Sequence, residues 1–240
     1  MNRFKAFAIH LGISAAVLAV IPYFVFVWWY PDFFFESDGG GQGLRLVLLV
    51  DLVLGPVLTF VVFNPTKPEL KRDLTIIGTL QAVCLAAGVY VVWSERPLAL
   101  VYTDGLFYSV SSDDYGLVPD LSPFPGASPK RVCVVLPDDP INSAQIRSDA
   151  WRAGQPLRIA HERYQAWDAC AGQLEEPLDN DLVRRSDPGG LIDRWEQQHG
   201  PLDGYAFYPY GARYGFYLIG VSEETGQITD MLSISYERGG

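Results

Sequence analysis

Three long apolar blocks dominate the first 93 positions of the chain, at residues 6–30, 44–63 and 74–93. Each is about 20 residues or more, which is what about 30 Å of hydrocarbon requires at a rise of about 1.5 Å per residue. The pattern predicts three transmembrane helices. After Trp93 the blocks give way to mixed polar and apolar positions with many prolines. Residues 98–102 and 106–110, around Thr103-Asp104-Gly105, predict a β-hairpin, because Asp-Gly makes a tight turn between β-prone runs. Residues 131–136 predict a short buried strand, and the proline-studded stretch 113–130 a loop. Helical spacing recurs at 142–153, with Asn142 or Ser143 as cap, at 162–171 and at 188–199. Residues 214–221 and 228–236 alternate around Glu223-Glu224-Thr225-Gly226 and predict a second hairpin.

The first block starts MNRFK, yet its 25 mostly apolar residues exceed the core of a secretion signal, and no small-x-small cleavage site precedes Trp28-Trp29-Tyr30-Pro31. It is expected to be an uncleaved anchor. The rings of Tyr23, Phe24, Phe26, Trp28, Trp29, Tyr30, Phe33, Phe34 and Phe35 mark the far membrane interface. Arg3 and Lys5 precede the first span, and Lys67, Lys71 and Arg72 lie between the second and third, whereas residues 31–43 carry no Lys or Arg. The positive-inside rule therefore places the N-terminus and the 64–73 loop in the cytoplasm and residues 94–240 on the far side, the periplasm of a bacterium. The predicted class is a membrane protein with three N-terminal transmembrane α-helices (1–93) followed by a periplasmic α+β domain with antiparallel hairpins (94–240).

Charge sharpens the division. Residues 1–93 hold six basic and six acidic residues, so the formal net charge of -10 belongs to residues 94–240, with 12 Arg or Lys against 22 Asp or Glu. Such a domain repels nucleic acid and anionic headgroups, and no nucleic-acid partner is expected. Cys133 and Cys170 fall in this part, where an oxidising compartment lets them pair; the alternative is two separate buried thiols.

The second span carries unexpected chemistry. Asp51, Gly55 and Thr59 recur every four residues and form one stripe, with Pro56 releasing the carbonyl of Leu52 beside it. An acid at membrane depth is costly unless it faces protein, so the stripe either packs the bundle or receives a partner's helix. Counting residues from the helix ends puts Tyr23 and Tyr90 at the level of Asp51, where either hydroxyl is placed to hydrogen-bond it, and His10 and Gln81 lower, where they are placed to pair with each other. Asp51 has no second intramembrane acid or base at its depth, so a proton relay has no next station.

Catalytic patterns are missing from the sequence: no G-x-S-x-G elbow, no H-E-x-x-H and no C-x-x-C, with His161 and His199 lacking ligands at metal spacing. A non-enzymatic protein without metal or cofactor is expected. Gly39-Gly40-Gly41-Gln42-Gly43 lacks the Lys-Ser or Lys-Thr of a phosphate loop and is expected to be a flexible turn. The aromatic run Tyr205, Phe207, Tyr208, Tyr210, Tyr214, Phe216 and Tyr217 either builds a recognition surface or forms the core and corner of a sheet.

Together, R-F-K-A-F-x-I-H-L at residues 3–11, Trp29-Tyr30-Pro31, V-D-L-V-L-G-P-V-L-T-F-V-V-F at 50–63, Asp73-Leu74, Leu80-Gln81 and Arg96-Pro97 resemble the TfpX/TfpZ family of type IV pilin accessory proteins. The likeness is specific over residues 3–103 and one of layout beyond. It implies a chaperone located in the bacterial inner membrane that binds the major type IV pilin and promotes its stability or assembly. The stripe read from the residues fits this, with Asp51, Gly55, Pro56 and Thr59 as the expected contact for the pilin's membrane helix. Its rivals are a membrane-anchored periplasmic sensor or ligand-binding module, and a pilin-modifying enzyme. The sensor is disfavoured because only five N-terminal residues and a ten-residue loop face the cytoplasm in this layout.

Overall fold

A computed structural model describes residues 2–187 and 189–233. The chain divides into two compact units, Met1–Arg96 and Pro97–Gly240.

In the first unit three helices are long and apolar enough to cross a membrane: Arg3–Trp29, Gly40–Val62 and Leu70–Ser94. Each begins a few residues before its apolar block, because polar residues are tolerated in a first turn that needs capping. Asn2, for example, accepts the amide of Lys5 at 2.9 Å in front of the first span. The glycine-rich stretch is not a flexible turn. Gly39 alone is left-handed (φ 91°), and Gly40–Leu49 is already helical. Gly43 must be small, since a Cβ there would lie 2.7 Å from Val92 Cγ2 on the third span. Small residues thus bring backbones together where the sequence alone suggests slack.

Leu, Val and Ile side chains such as Ile13, Leu46, Val61, Ile76 and Val83 are exposed on the outside of this bundle, as hydrocarbon favours. Leu18, Val25, Leu44, Val47, Phe63 and Val92 are buried in it. The aromatic cluster is split: Trp28 is exposed, whereas Tyr30, Phe33 and Phe34 are buried, and Tyr30 donates its hydroxyl to the Val92 carbonyl at 2.9 Å. Two wide π turns interrupt the helices, Val25–Trp29 in the first span and Val50–Leu54 in the second. Such turns often mark functional positions.

The second unit is built on one mixed sheet of seven strands among the described residues. β1 (Pro97–Thr103) and β2 (Leu106–Ser111) form the expected hairpin, its turn at Asp104 (φ 51°) and Gly105 (φ 73°). Two consecutive positive φ values are the mark of the Asp-Gly turn that matches strand twist. β3 (Lys130–Cys133) runs parallel to β1, and β4 (Gln165–Ala166) antiparallel to β3. β5 (Tyr205–Ala212), β6 (Gly215–Ser222) and β7 (Ile228–Leu232) form an antiparallel meander, joined to the first hairpin by a parallel β2–β5 contact.

The helix Pro140–Arg152 starts two residues earlier than expected, and its cap is Asp139, which accepts the amide of Asn142 at 3.0 Å. Residues 162–171 do not make one helix. They form a 3-10 turn His161–Arg163, the strand β4 and a single helical turn Trp167–Cys170. Leu191–His199 is helical and presents Ile192 and Trp195 to the core, while the expected start at Pro188 lies outside the described residues. The expected end of the last strand, from residue 234, lies outside them too. A short helix, Asn180–Arg185, was not foreseen. Two apolar clusters fill the unit: Val183, Ile192, Trp195, Leu202, Phe207 and Leu232 in one, and Ala99, Val101, Val110, Val132, Val134 and Tyr164 in the other.

Candidate functional site

The intramembrane stripe is real, and it faces inward. Asp51 and Thr59 are 2% and 5% exposed, and Gly55 and Pro56 are buried with them. The stripe is covered by the chain's own first and third spans. His10 Nδ1 and Thr59 Oγ1 are 2.5 Å apart, and Gln81 Nε2 lies 3.3 Å from Ser14 Oγ and 3.0 Å from the Asp51 carbonyl oxygen. Of the two readings of the stripe, this burial fits bundle packing rather than the expected contact for a partner helix: Asp51, Gly55, Pro56 and Thr59 form a polar seam between spans.

Helix geometry explains how the seam is made. The amide of Gly55 bonds to the carbonyl of Val50, an i to i+5 step. In that wider register the carbonyl of Asp51 is aligned with residue 56, and Pro56 has no N–H to offer. The Asp51 carbonyl is thus left to a side chain, and the Gln81 amide takes it. Gly55 is the seat for that amide, because a Cβ on Gly55 would overlap the Gln81 carboxamide. Oδ2 of Asp51 and Oε1 of Gln81 are both buried and have no hydrogen-bond partner among the described residues.

Three expected pairings do not form. Tyr23 and Tyr90 are 58% and 64% exposed, on the outside of the bundle. Depth was the basis for pairing them with Asp51, but depth does not fix direction. Tyr23 is nine residues beyond Ser14 and Tyr90 nine beyond Gln81, about two and a half turns, which puts both tyrosines on the opposite side from the seam. His10 meets Thr59 rather than Gln81, because Gln81 is occupied one turn further along by Ser14 and Asp51. Ser14 was missed; its signal was the four-residue spacing from His10.

Outside the membrane unit, Cys133 and Cys170 are joined by a disulfide that ties β3 to the turn Trp167–Cys170. Of the aromatic run, Phe207, Tyr208 and Tyr210 are buried in the sheet, whereas Tyr214 and Phe216 are exposed. The run therefore serves mainly as sheet core. No group of three or more His, Cys, Asp or Glu side chains gathers among the described residues in a way that could hold a metal ion.

Three apolar spans joined by a polar seam, followed by a disulfide-tied α+β unit, define a membrane-anchored α+β protein. The family model for the fimbrial assembly protein FimB matches residues 1–36. The serogroup I fimbrial assembly protein of Dichelobacter nodosus is 27% identical over 180 residues, 72% of this chain and 68% of that protein. The protein of serogroups C1 and C2 from the same organism is 31% identical over 100 residues, 41% of this chain and 76% of that protein. That of serogroup E1 is 30% identical over 100 residues, 41% of this chain and 39% of that protein. No solved structure matches significantly. The chain belongs to the fimbrial assembly protein family.

Proposed function

We propose that the chain is a non-enzymatic accessory protein of the bacterial inner membrane, of the TfpX/TfpZ type, which holds a type IV pilin subunit before and during assembly. The observation that carries this reading is the kinship with fimbrial assembly proteins in a chain whose first unit is a three-span bundle. A pilus subunit awaiting assembly must keep an apolar helix in the bilayer, and a rigid bundle beside it would hold it there. The inward seam gives the bundle that rigidity, since interhelical hydrogen bonds fix the rotation of each span. The pilin's helix would then meet the apolar outer surface, and the second unit would face its globular head in the periplasm.

Photo-crosslinking tests this. A photoreactive side chain placed at Ile13, Val53 or Val83, one exposed site on each span, is expected to capture the co-expressed pilin from at least one position. A stable, inserted protein that yields no pilin adduct from any of the three would overturn the proposal. Deleting the gene is expected to lower pilin abundance without altering pilin mass; a mass change with normal abundance would instead favour a modifying enzyme.

A further inference from the structure

The second unit contains a cleft that has no part in the reading above. It lies between the β1–β2 turn, the end of the helix Pro140–Arg152 and the short 3-10 turn Leu157–Ile159, and has a volume of about 220 Å³. Its walls include Thr103, Asp104, Tyr108, Arg147, Trp151 and Arg158. We infer that this cleft binds a peptide carboxylate carried next to an apolar side chain, in an acidic segment of a protein partner.

Charge is the first argument. The unit as a whole is strongly acidic, yet two of its arginines converge here against one carboxylate. Arg147 is neutralised by Asp104, at 2.8 and 2.9 Å from its Nη2 and Nε, and also donates to Ser143 Oγ at 3.2 Å. Arg158 has no carboxylate partner among the described residues; its guanidinium carbon lies 5.8 Å from the centre of the Tyr108 ring. The cleft therefore keeps one uncompensated, planar, bidentate donor suited to a carboxylate.

Composition and size are the second and third. Trp151 is 84% exposed on the rim, an unusual position for the largest apolar side chain. Trp, Tyr and Arg together are the residues that dominate protein-binding hot spots. The buried hydroxyl of Thr103, in the wall, has no partner among the described residues, which leaves a spare donor. A volume of about 220 Å³ is below the roughly 300 to 1,000 Å³ of cofactor and small-molecule pockets. It suits one or two side chains of a docked segment.

The test is saturation-transfer NMR on the full-length chain in detergent, with N-acetyl-Phe-Asp-amide as probe and N-acetyl-Phe-Asn-amide as its neutral counterpart. The acidic peptide is expected to receive the transfer and to bind about tenfold more tightly than the neutral one, as a charge-assisted bond implies. Arg158→Gln is expected to weaken it about tenfold, Arg158→Lys to retain part of the affinity, and Trp151→Ala to weaken both peptides. Arg194→Gln, on the helix Leu191–His199 away from these walls, serves as the control and should change nothing. Equal binding of the two peptides, no transfer to either, or unchanged binding to a folded Arg158→Gln protein would each overturn the inference. Because the probes contain no pilin, failure here is separable from failure of the assembly role.

Discussion

Gln81 of the third span donates to the main-chain carbonyl of Asp51 in the second at 3.0 Å, across the space left by the missing side chain of Gly55. That bond exists because Pro56 cannot supply the amide that the π turn would have used. Three residues on one span and one on another thus work as a unit: a proline frees the acceptor, a glycine makes room, and a glutamine fills it.

Interdependence of this kind has a measurable signature. Gly55→Ala is expected to push the Gln81 carboxamide aside and break its bond, costing the bundle about 1 to 2 kcal/mol, at the upper end for intramembrane hydrogen bonds. Gln81→Ala should cost about 0.5 to 1.5 kcal/mol by itself, and the double variant less than the sum, because the added methyl group then finds space. Unfolding from detergent micelles measures all three. Strict additivity would show that Gly55 and Gln81 do not share a site.

How much of this was legible in the sequence depends on what carried the information. The three spans announce themselves by length and hydropathy, and the first hairpin by Asp104-Gly105, since both are local signals. The inward rotation of the Asp51 stripe is not local: the same four-residue spacing suits a partner outside or a glutamine inside, and only the packing of Gln81 and Ser14 decides it. β5 was hidden because Pro209 and Gly211 interrupt its pattern; β2 pairs with it only at Tyr210 and Gly211, so Pro209 lies outside that ladder. Residues 162–171 depart from their helical spacing for a third reason. Cys170 is bonded to Cys133, and Gln165–Ala166 pairs with β3, so long-range ties override a helical preference.

The disulfide should matter for stability more than any single side-chain contact in the second unit. It closes a loop of 37 residues, worth about 3 to 4 kcal/mol in the chain-entropy model. Replacing both cysteines, Cys133→Ala with Cys170→Ala, is expected to lower the unfolding free energy of this unit by that order and leave the membrane bundle unchanged. Thermal unfolding with and without reductant checks it, and the doubly substituted protein should be insensitive to the reductant.

A glycine in β6 is predicted to be intolerant for reasons of packing. A Cβ on Gly220 would lie 2.7 Å from the Trp195 ring and 3.3 Å from the ring of Phe207, in the middle of one core cluster. Gly220→Ala should destabilise by about 1 to 3 kcal/mol, the usual cost of overpacking. Adding Trp195→Phe, which removes the ring atoms in question, should recover part of the loss. A single variant as stable as the parent would mean that the helix Leu191–His199 shifts freely on the sheet.

Alkaline pH should weaken the second unit through a chain of buried phenols. Tyr164 donates its hydroxyl to the carbonyl of Arg158, so at its 2.8 Å contact with Tyr115 it must accept, and Tyr115 is the donor. Burial pushes the Tyr115 phenol from 10.0 up to about 12 and raises Tyr164 further; burial likewise raises Tyr102 to about 12. The folded unit therefore keeps protons that the unfolded chain has already released above pH about 10, so their contribution to stability is full below that value and is lost as pH rises through about 12. Tyr115→Phe removes one of these groups. It is expected to cost about 1 kcal/mol near neutrality, for the lost hydrogen bond, and to make the alkaline decline shallower. Chemical unfolding at a series of pH values separates the two effects: the parent and variant curves should converge as pH increases, and curves that stay parallel would show that the Tyr115 phenol titrates alike in the folded and unfolded chain.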